Sequence, residues 1–137
     1  MGAWGEPTAA IDWCETNYDI SFYASEFHNT WTNVFYVGVG TVGICTTSRR
    51  LLPANISIVL TGVFSAAFHA TLWWWFWKLD EVFENGILIA LIHVDRGESW
   101  LGLLHFAIVT TGILSIPVLF CEVHLVLSVV YCIRKFY

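Results

Sequence analysis

Basic residues are scarce in this sequence: six Lys and Arg in 137 residues, against eleven Asp and Glu, for a formal net charge of −5. The first 26 residues contain none and carry five acids, Glu6, Asp12, Glu15, Asp19 and Glu26. A chain so poor in cations has no basic face for nucleic acid. It also shows no basic segment leading into an apolar core, so no cleavable signal peptide is expected. Four cysteines, at 14, 45, 121 and 132, lack CxxC spacing. Zinc-ribbon and thioredoxin-like centres are therefore not indicated, and at least three of the cysteines, in or beside apolar runs, read as small hydrophobes. No repeat, low-complexity tract or soluble second domain is visible. Charge of either sign is only 12%, about half the roughly 25% of a soluble domain.

What fills the chain instead is uncharged apolar sequence, in runs at 27–48, 51–77 and 99–121. A helix crosses the hydrocarbon core with about 20 apolar residues, so each run is long enough. The runs do not alternate polar and apolar residues, and they would supply too few strands for a closed barrel. The expected fold is all-α, a polytopic transmembrane helix bundle of four to five helices. An acidic arm at 1–27 precedes a bundle at 28–137.

Within the bundle, one helix is expected near 28–47, closed by Ser48-Arg49-Arg50. A second is expected near 54–76, after Pro53, which suits a first helical turn. A short third runs near 79–94, opening with Asp80, Glu81 and Glu84. After the loop Asp95-Arg96-Gly97-Glu98, residues 99–133 allow one span or two, broken near Ser115-Ile116-Pro117. Alternating crossings put Arg49, Arg50, Arg96, Arg134 and Lys135 on one side, with Lys78 alone on the other. The positive-inside rule makes the arginine side cytosolic. Two crossings return the second helix to the arm's side, so the arm, His69 and Asp80 share a membrane face.

The stretch FHATLWWWFWKLDE, 68–81, joins that histidine to that acid. Ser65 stacks one turn from His69, because i and i+4 share a helix face. Ionisable groups inside a membrane are costly and usually mark function. Imidazole suits zinc, zinc activates water, and a neighbouring carboxylate can accept the water's proton. The plain alternative is a histidine bonded to a neighbouring helix, with an acid pair favouring a helix start. The tryptophans read mainly as an interfacial belt. In the arm, Asp12, Glu15, Asn17 and Glu26 offer hard oxygens suited to calcium, though not in an EF-hand pattern. The alternative there is a solvated acidic arm.

The arm WGEPTAAIDWCETNYDISFYASEFHNTWTN, together with SAAFHATL followed by LDE, resembles the alkaline ceramidase family. These are seven-helix membrane amidases in the wider superfamily that includes adiponectin-receptor-like proteins. The likeness covers about 1–85, with two motifs agreeing in order and spacing. It implies calcium bound by Asp12, Trp13 (through its carbonyl), Glu15, Asn17 and Glu26. It implies zinc with His69 as one of three histidine ligands, Ser65 supporting the transition state, and Asp80 handling the water's proton. The implied reaction is hydrolysis of ceramide to sphingosine and a fatty acid, in an endoplasmic reticulum or Golgi membrane. Two departures stand out. Lys78 occupies a position where the family usually has glutamine; it could disturb the site or snorkel to the surface. The family's H-x-x-x-H zinc pair is absent, since His93, His105 and His124 lack an i+4 histidine and His28 belongs to the first helix entry. The chain thus resembles the first part of the seven-helix fold, truncated at its C-terminus. Little hydrolysis is expected of it alone. The alternative is a non-catalytic membrane protein that binds lipid or assembles with another chain.

Overall fold

The computed structural model describes residues 2–13, 15–94, 99–115, 126–127, 129–130 and 133–134. Cys14, the loop at 95–98, the expected break at 116–117, His124 and Lys135 lie outside them. The arm at 2–26 is turns and irregular chain, and after it come helices, with no strand among the described residues: α1 (Phe27–Thr32), α2 (Val34–Thr46), a 3₁₀ turn (Arg49–Leu51), α3 (Leu52–Thr71), α4 (Trp74–His93) and α5 (Ser99–Ser115). Helices α1 and α2 follow one another across Asn33, whose side-chain amide donates to the carbonyl of Asn29 at 2.8 Å. Together they cover the first expected helix.

Helix α2 lies close against α3 because glycines remove the side chains that would hold them apart. A Cβ built at Gly40 would stand 2.7 Å from Val59 Cγ2, and 2.9 Å from both the carbonyl oxygen of Asn55 and the amide of Val59. Backbone cannot swing aside as a side chain does. Gly40→Ala should therefore push α2 off α3 and lower stability by about 1–3 kcal/mol, the usual cost of overpacking. Gly38, with nothing within 4 Å of its Cβ position, is the control. Gly38→Ala should be neutral or stabilise α2 by up to about 1 kcal/mol. Denaturant unfolding in detergent measures both, and equal effects would remove close packing as the role of Gly40.

Helices α3 and α4 form an antiparallel hairpin, with Phe64 and Phe83 stacked 5.3 Å apart at 8°. Buried Phe68, Leu72 and Trp77 close its corner, and Ala9 and Ile11 of the arm pack onto them. Against the other face of α4, Val82 and Ile89 meet Val109 and Ile113 of α5.

The corner lies earlier than the sequence suggests. Helix α3 ends at Thr71 rather than near 76, and α4 begins at Trp74 rather than near 79. Leu72 takes a left-handed conformation, φ 53° and ψ 35°, where glycine is the usual residue. The reason is remote in sequence. The Leu72 carbonyl accepts from the Thr8 and Ala9 amides at 3.0 and 2.9 Å. The Trp74 amide donates to Thr8 Oγ1 at 2.8 Å, so one threonine satisfies groups on both sides of the turn.

Among the described residues one helical stretch, Arg49–Thr71, is long and apolar enough to cross a membrane. At 1.5 Å per residue α3 alone is about 30 Å long. Trp100–Ser115 is apolar but shorter. Helix α4 has the length, but Lys78, Asp80, Glu81 and Glu84 interrupt its hydropathy. Of those four charges, Asp80 belongs to the site.

Candidate functional site

Helix α3 delivers Ser65 and His69 on one face, one turn apart. The earlier corner moves His69 into the last turn of α3, close to the arm, rather than two turns below it. Asp80 correspondingly sits in the second turn of α4 and not at its start. The convergence of serine and acid nevertheless occurs: the buried Ser65 hydroxyl hydrogen-bonds the Asp80 side chain.

The arm reaches His69 through Glu26, the residue that precedes α1. Its side chain is completely buried. One oxygen accepts the Trp13 amide at 2.9 Å. The other accepts Asn29 Nδ2 at 3.1 Å and pairs with His69 Nδ1. The Glu26 amide donates to the His69 carbonyl and the Ser25 amide to the Ala70 carbonyl, both at 2.9 Å. Arm backbone thereby satisfies carbonyls at the end of α3 that the helix itself leaves unpaired. A buried carboxylate persists only when paired and hydrogen-bonded, and Glu26 is both.

The remaining calcium candidates surround this carboxylate. Asn17 Nδ2 donates to both Asp12 oxygens, at 3.2 and 3.0 Å. Asn17 Oδ1 accepts the Ser25 hydroxyl at 2.7 Å. Glu15 accepts the His28 and Asn29 amides at 2.8 and 3.1 Å, capping the start of α1. Burial works to raise the Glu15 pKa. The two backbone hydrogen bonds and the nearby His28 and His69 rings outweigh it, leaving the carboxyl below its ordinary value. Hard oxygens of this kind suit calcium by chemistry, but Asp12, Glu15 and Glu26 do not converge as a metal-holding group among the described residues. Several of those oxygens are taken up by protein donors.

The same holds for zinc. No group of three or more His, Cys, Asp and Glu is gathered for a metal among the described residues. With Nδ1 of His69 held by Glu26, Nε2 is the nitrogen left for an ion. A carboxylate on the second imidazole nitrogen is how metal-ligating histidines are commonly oriented. His69 fits as one ligand, and catalytic zinc asks for three.

The acid cluster on α4 is divided. Lys78 neither snorkels to the surface nor points at Asp80. It is buried, 2.8 Å from Glu81 Oε2 and 3.9 Å from the Trp77 ring centroid. Glu81 is thus neutralised by its own helix, Glu84 is exposed, and Asp80 is the acid bound to Ser65. The i, i+3 spacing of Lys78 and Glu81 was visible in the sequence. The Glu26–His69 pair, 43 residues apart, carried no such local signal.

Beside the site, an open apolar cleft of about 420 Å³ lies between α1, α2 and α3, with Phe27, Trp31, Val34 and Val63 in its wall. Ser65, His69 and Asp80 do not line it.

Comparison with known proteins adds an independent line. The ceramidase family model matches residues 5–137. The chain is 40% identical over 89 residues to alkaline ceramidase YPC1 of Saccharomyces cerevisiae, covering 59% of this chain and 27% of that one. It is 33% identical over 86 residues to mouse alkaline ceramidase 3, covering 59% and 32%. An alkaline ceramidase of Arabidopsis thaliana is 34% identical over 74 residues, covering 50% and 29%. The chain therefore aligns with less than half the length of these relatives.

Proposed function

Because this chain belongs to the ceramidase family, we propose that it serves as the N-terminal part of a membrane hydrolase that cleaves the ceramide amide to sphingosine and a fatty acid. The observation that carries the proposal is the corner itself: Ser65 bound to Asp80, with His69 one turn away and fixed by a buried carboxylate. A multi-pass bundle, in an endoplasmic reticulum or Golgi membrane, is part of the same reading. Its support is the uncharged runs and the apolar side chains left exposed along α2 and α5, among them Phe35, Val39, Leu103 and Ile108. An arginine side facing the cytosol belongs to the same proposal, with Lys78 buried in α4.

In this reading His69 would hold zinc together with two ligands from the rest of the seven-helix fold, and the ion would supply the Lewis acidity that makes water nucleophilic near neutral pH. Asp80 accepts the proton that the attacking water loses and returns one to the departing amine. Ser65 donates to the Asp80 carboxylate and keeps it oriented; once Asp80 has taken the water's proton, the serine hydroxyl is free to donate to the amide oxygen as charge develops there. Glu26 holds the His69 ring in a single orientation. Calcium is proposed at Asp12, the Trp13 carbonyl, Glu15, Asn17 and Glu26, where it would neutralise the arm and tighten its grip on α3.

The second reading, a membrane protein that binds lipid or a partner chain without turnover, draws on the apolar cleft between α1, α2 and α3. Expression of this chain joined to the remaining helices of a ceramidase-family member, in cells without alkaline ceramidase activity, separates the two. Ceramide-to-sphingosine conversion above that of a His69→Ala control is expected. Equal conversion, with both proteins present in the membrane, would replace the hydrolase with the binding protein.

A further inference from the structure

Two histidines outside this site meet at the far end of α4. His93 is the last residue of α4, and its Nε2 lies 3.3 Å from Nδ1 of His105 on α5. The rings are set edge to face, 77° apart with centroids at 5.5 Å. Gly102 lies beneath His93, its Cβ position 3.5 Å from that ring's stem, so α5 comes close enough for the two imidazoles to face each other. As a simple hydrogen bond the contact is poor. It is longer than the usual 2.9–3.0 Å or so.

The separation has a second meaning. Two nitrogens bound at zinc–imidazole distance to one tetrahedral ion lie about 3.3–3.4 Å apart. We propose that His93 and His105 form a two-imidazole site for a divalent transition-metal ion, bridging the end of α4 to α5 and separate from the corner at His69. Imidazole selects zinc, copper and nickel over calcium and magnesium. No third acidic, cysteine or histidine ligand completes a cluster among the described residues, so water fills the remaining positions. The affinity is accordingly modest and the ion exchangeable, unlike a four-ligand structural zinc. Bound, it ties α5 to α4 where the chain leaves one helix and enters the other.

The test uses the purified chain in detergent, stripped with a chelator and titrated with Cu²⁺ for electron paramagnetic resonance and with Zn²⁺ for thermal unfolding. Copper should show two imidazole nitrogens in its coordination sphere, and zinc should raise the unfolding temperature, whereas Ca²⁺ should do so no differently in His93→Gln. Loss of an outer-sphere partner alone weakens metal binding by about 10–100-fold, so His93→Gln and His105→Gln should each weaken both signals at least that much. His69→Gln should leave them in place, which separates this site from the proposed catalytic one. A copper spectrum with fewer than two imidazoles in the unaltered chain overturns the proposal without reference to how any variant folds. So does a two-imidazole signal that survives His93→Gln and His105→Gln, or one that His69→Gln abolishes.

Discussion

Glu26→Ala should detach the arm and destabilise the protein by about 3–5 kcal/mol, the usual loss when one partner of a buried charge pair is removed. Three groups lose their acceptor together: the Trp13 amide, the Asn29 side chain and the His69 ring. The first two can turn to water if the arm lifts. His69 cannot leave α3, so the arm is the part that moves. Limited proteolysis should then cut between residues 8 and 26 at a rate the unaltered protein does not show, with thermal unfolding shifted down in parallel. Glu26→Gln keeps the shape and one acceptor oxygen, so it should fall between the two. Unchanged protease resistance in Glu26→Ala would mean that the Thr8, Ala9 and Ser25 backbone bonds hold the arm without the carboxylate.

Asp80→Asn, in the family member with its full helix complement, should lower ceramide turnover by about 10²–10⁴-fold, the range assigned to a general base or acid. The amide fills the same space and can still accept from Ser65, so folding and substrate binding should change little. That split separates proton transfer from support: kcat falls while KM holds. Ser65→Ala should cost less, since it removes an orienting hydrogen bond and leaves the carboxylate. Turnover by Asp80→Asn near the unaltered level would take the proton-transfer role away from Asp80. Glu81 would be a poor replacement, because Lys78 already holds its charge.

The helical class was legible because uncharged runs of membrane-crossing length leave few alternatives, and Ser65 and His69 shared a face by simple helical periodicity. The family was legible from the arm and the SAAFHATL motif. The corner was misplaced because the tryptophan run is apolar on both sides of the turn, so hydropathy shows no boundary at Leu72. A leucine in a left-handed conformation gives no signal of its own. What ends α3 is Thr8 and Ala9, and a contact between such distant residues has no periodicity to reveal it. Lys78 shows the same limit in reverse. Its charge suggested a surface position, yet pairing with Glu81 and the Trp77 ring makes burial tolerable. The Glu26–His69 pair joins two residues each singled out for a different metal, and nothing local in either stretch pointed to the other.

The Thr8 hydroxyl that caps α4 sits 66 residues ahead of the amide it satisfies, and this gives the protein an order of assembly. During synthesis the arm is made before α3, but its docking surface does not exist until α3 has been made and its end has formed. Closing so large a loop carries an entropic cost that grows only slowly with length, but the contact is among the most non-local in the molecule and forms late for that reason. The oldest part of the chain is thus the last to lock. Until it does, the carbonyls of His69, Ala70 and Leu72 lack their partners and the corner is held by apolar packing alone. A nascent chain whose arm is held away from the end of α3 would carry every helix and still fail to finish its site.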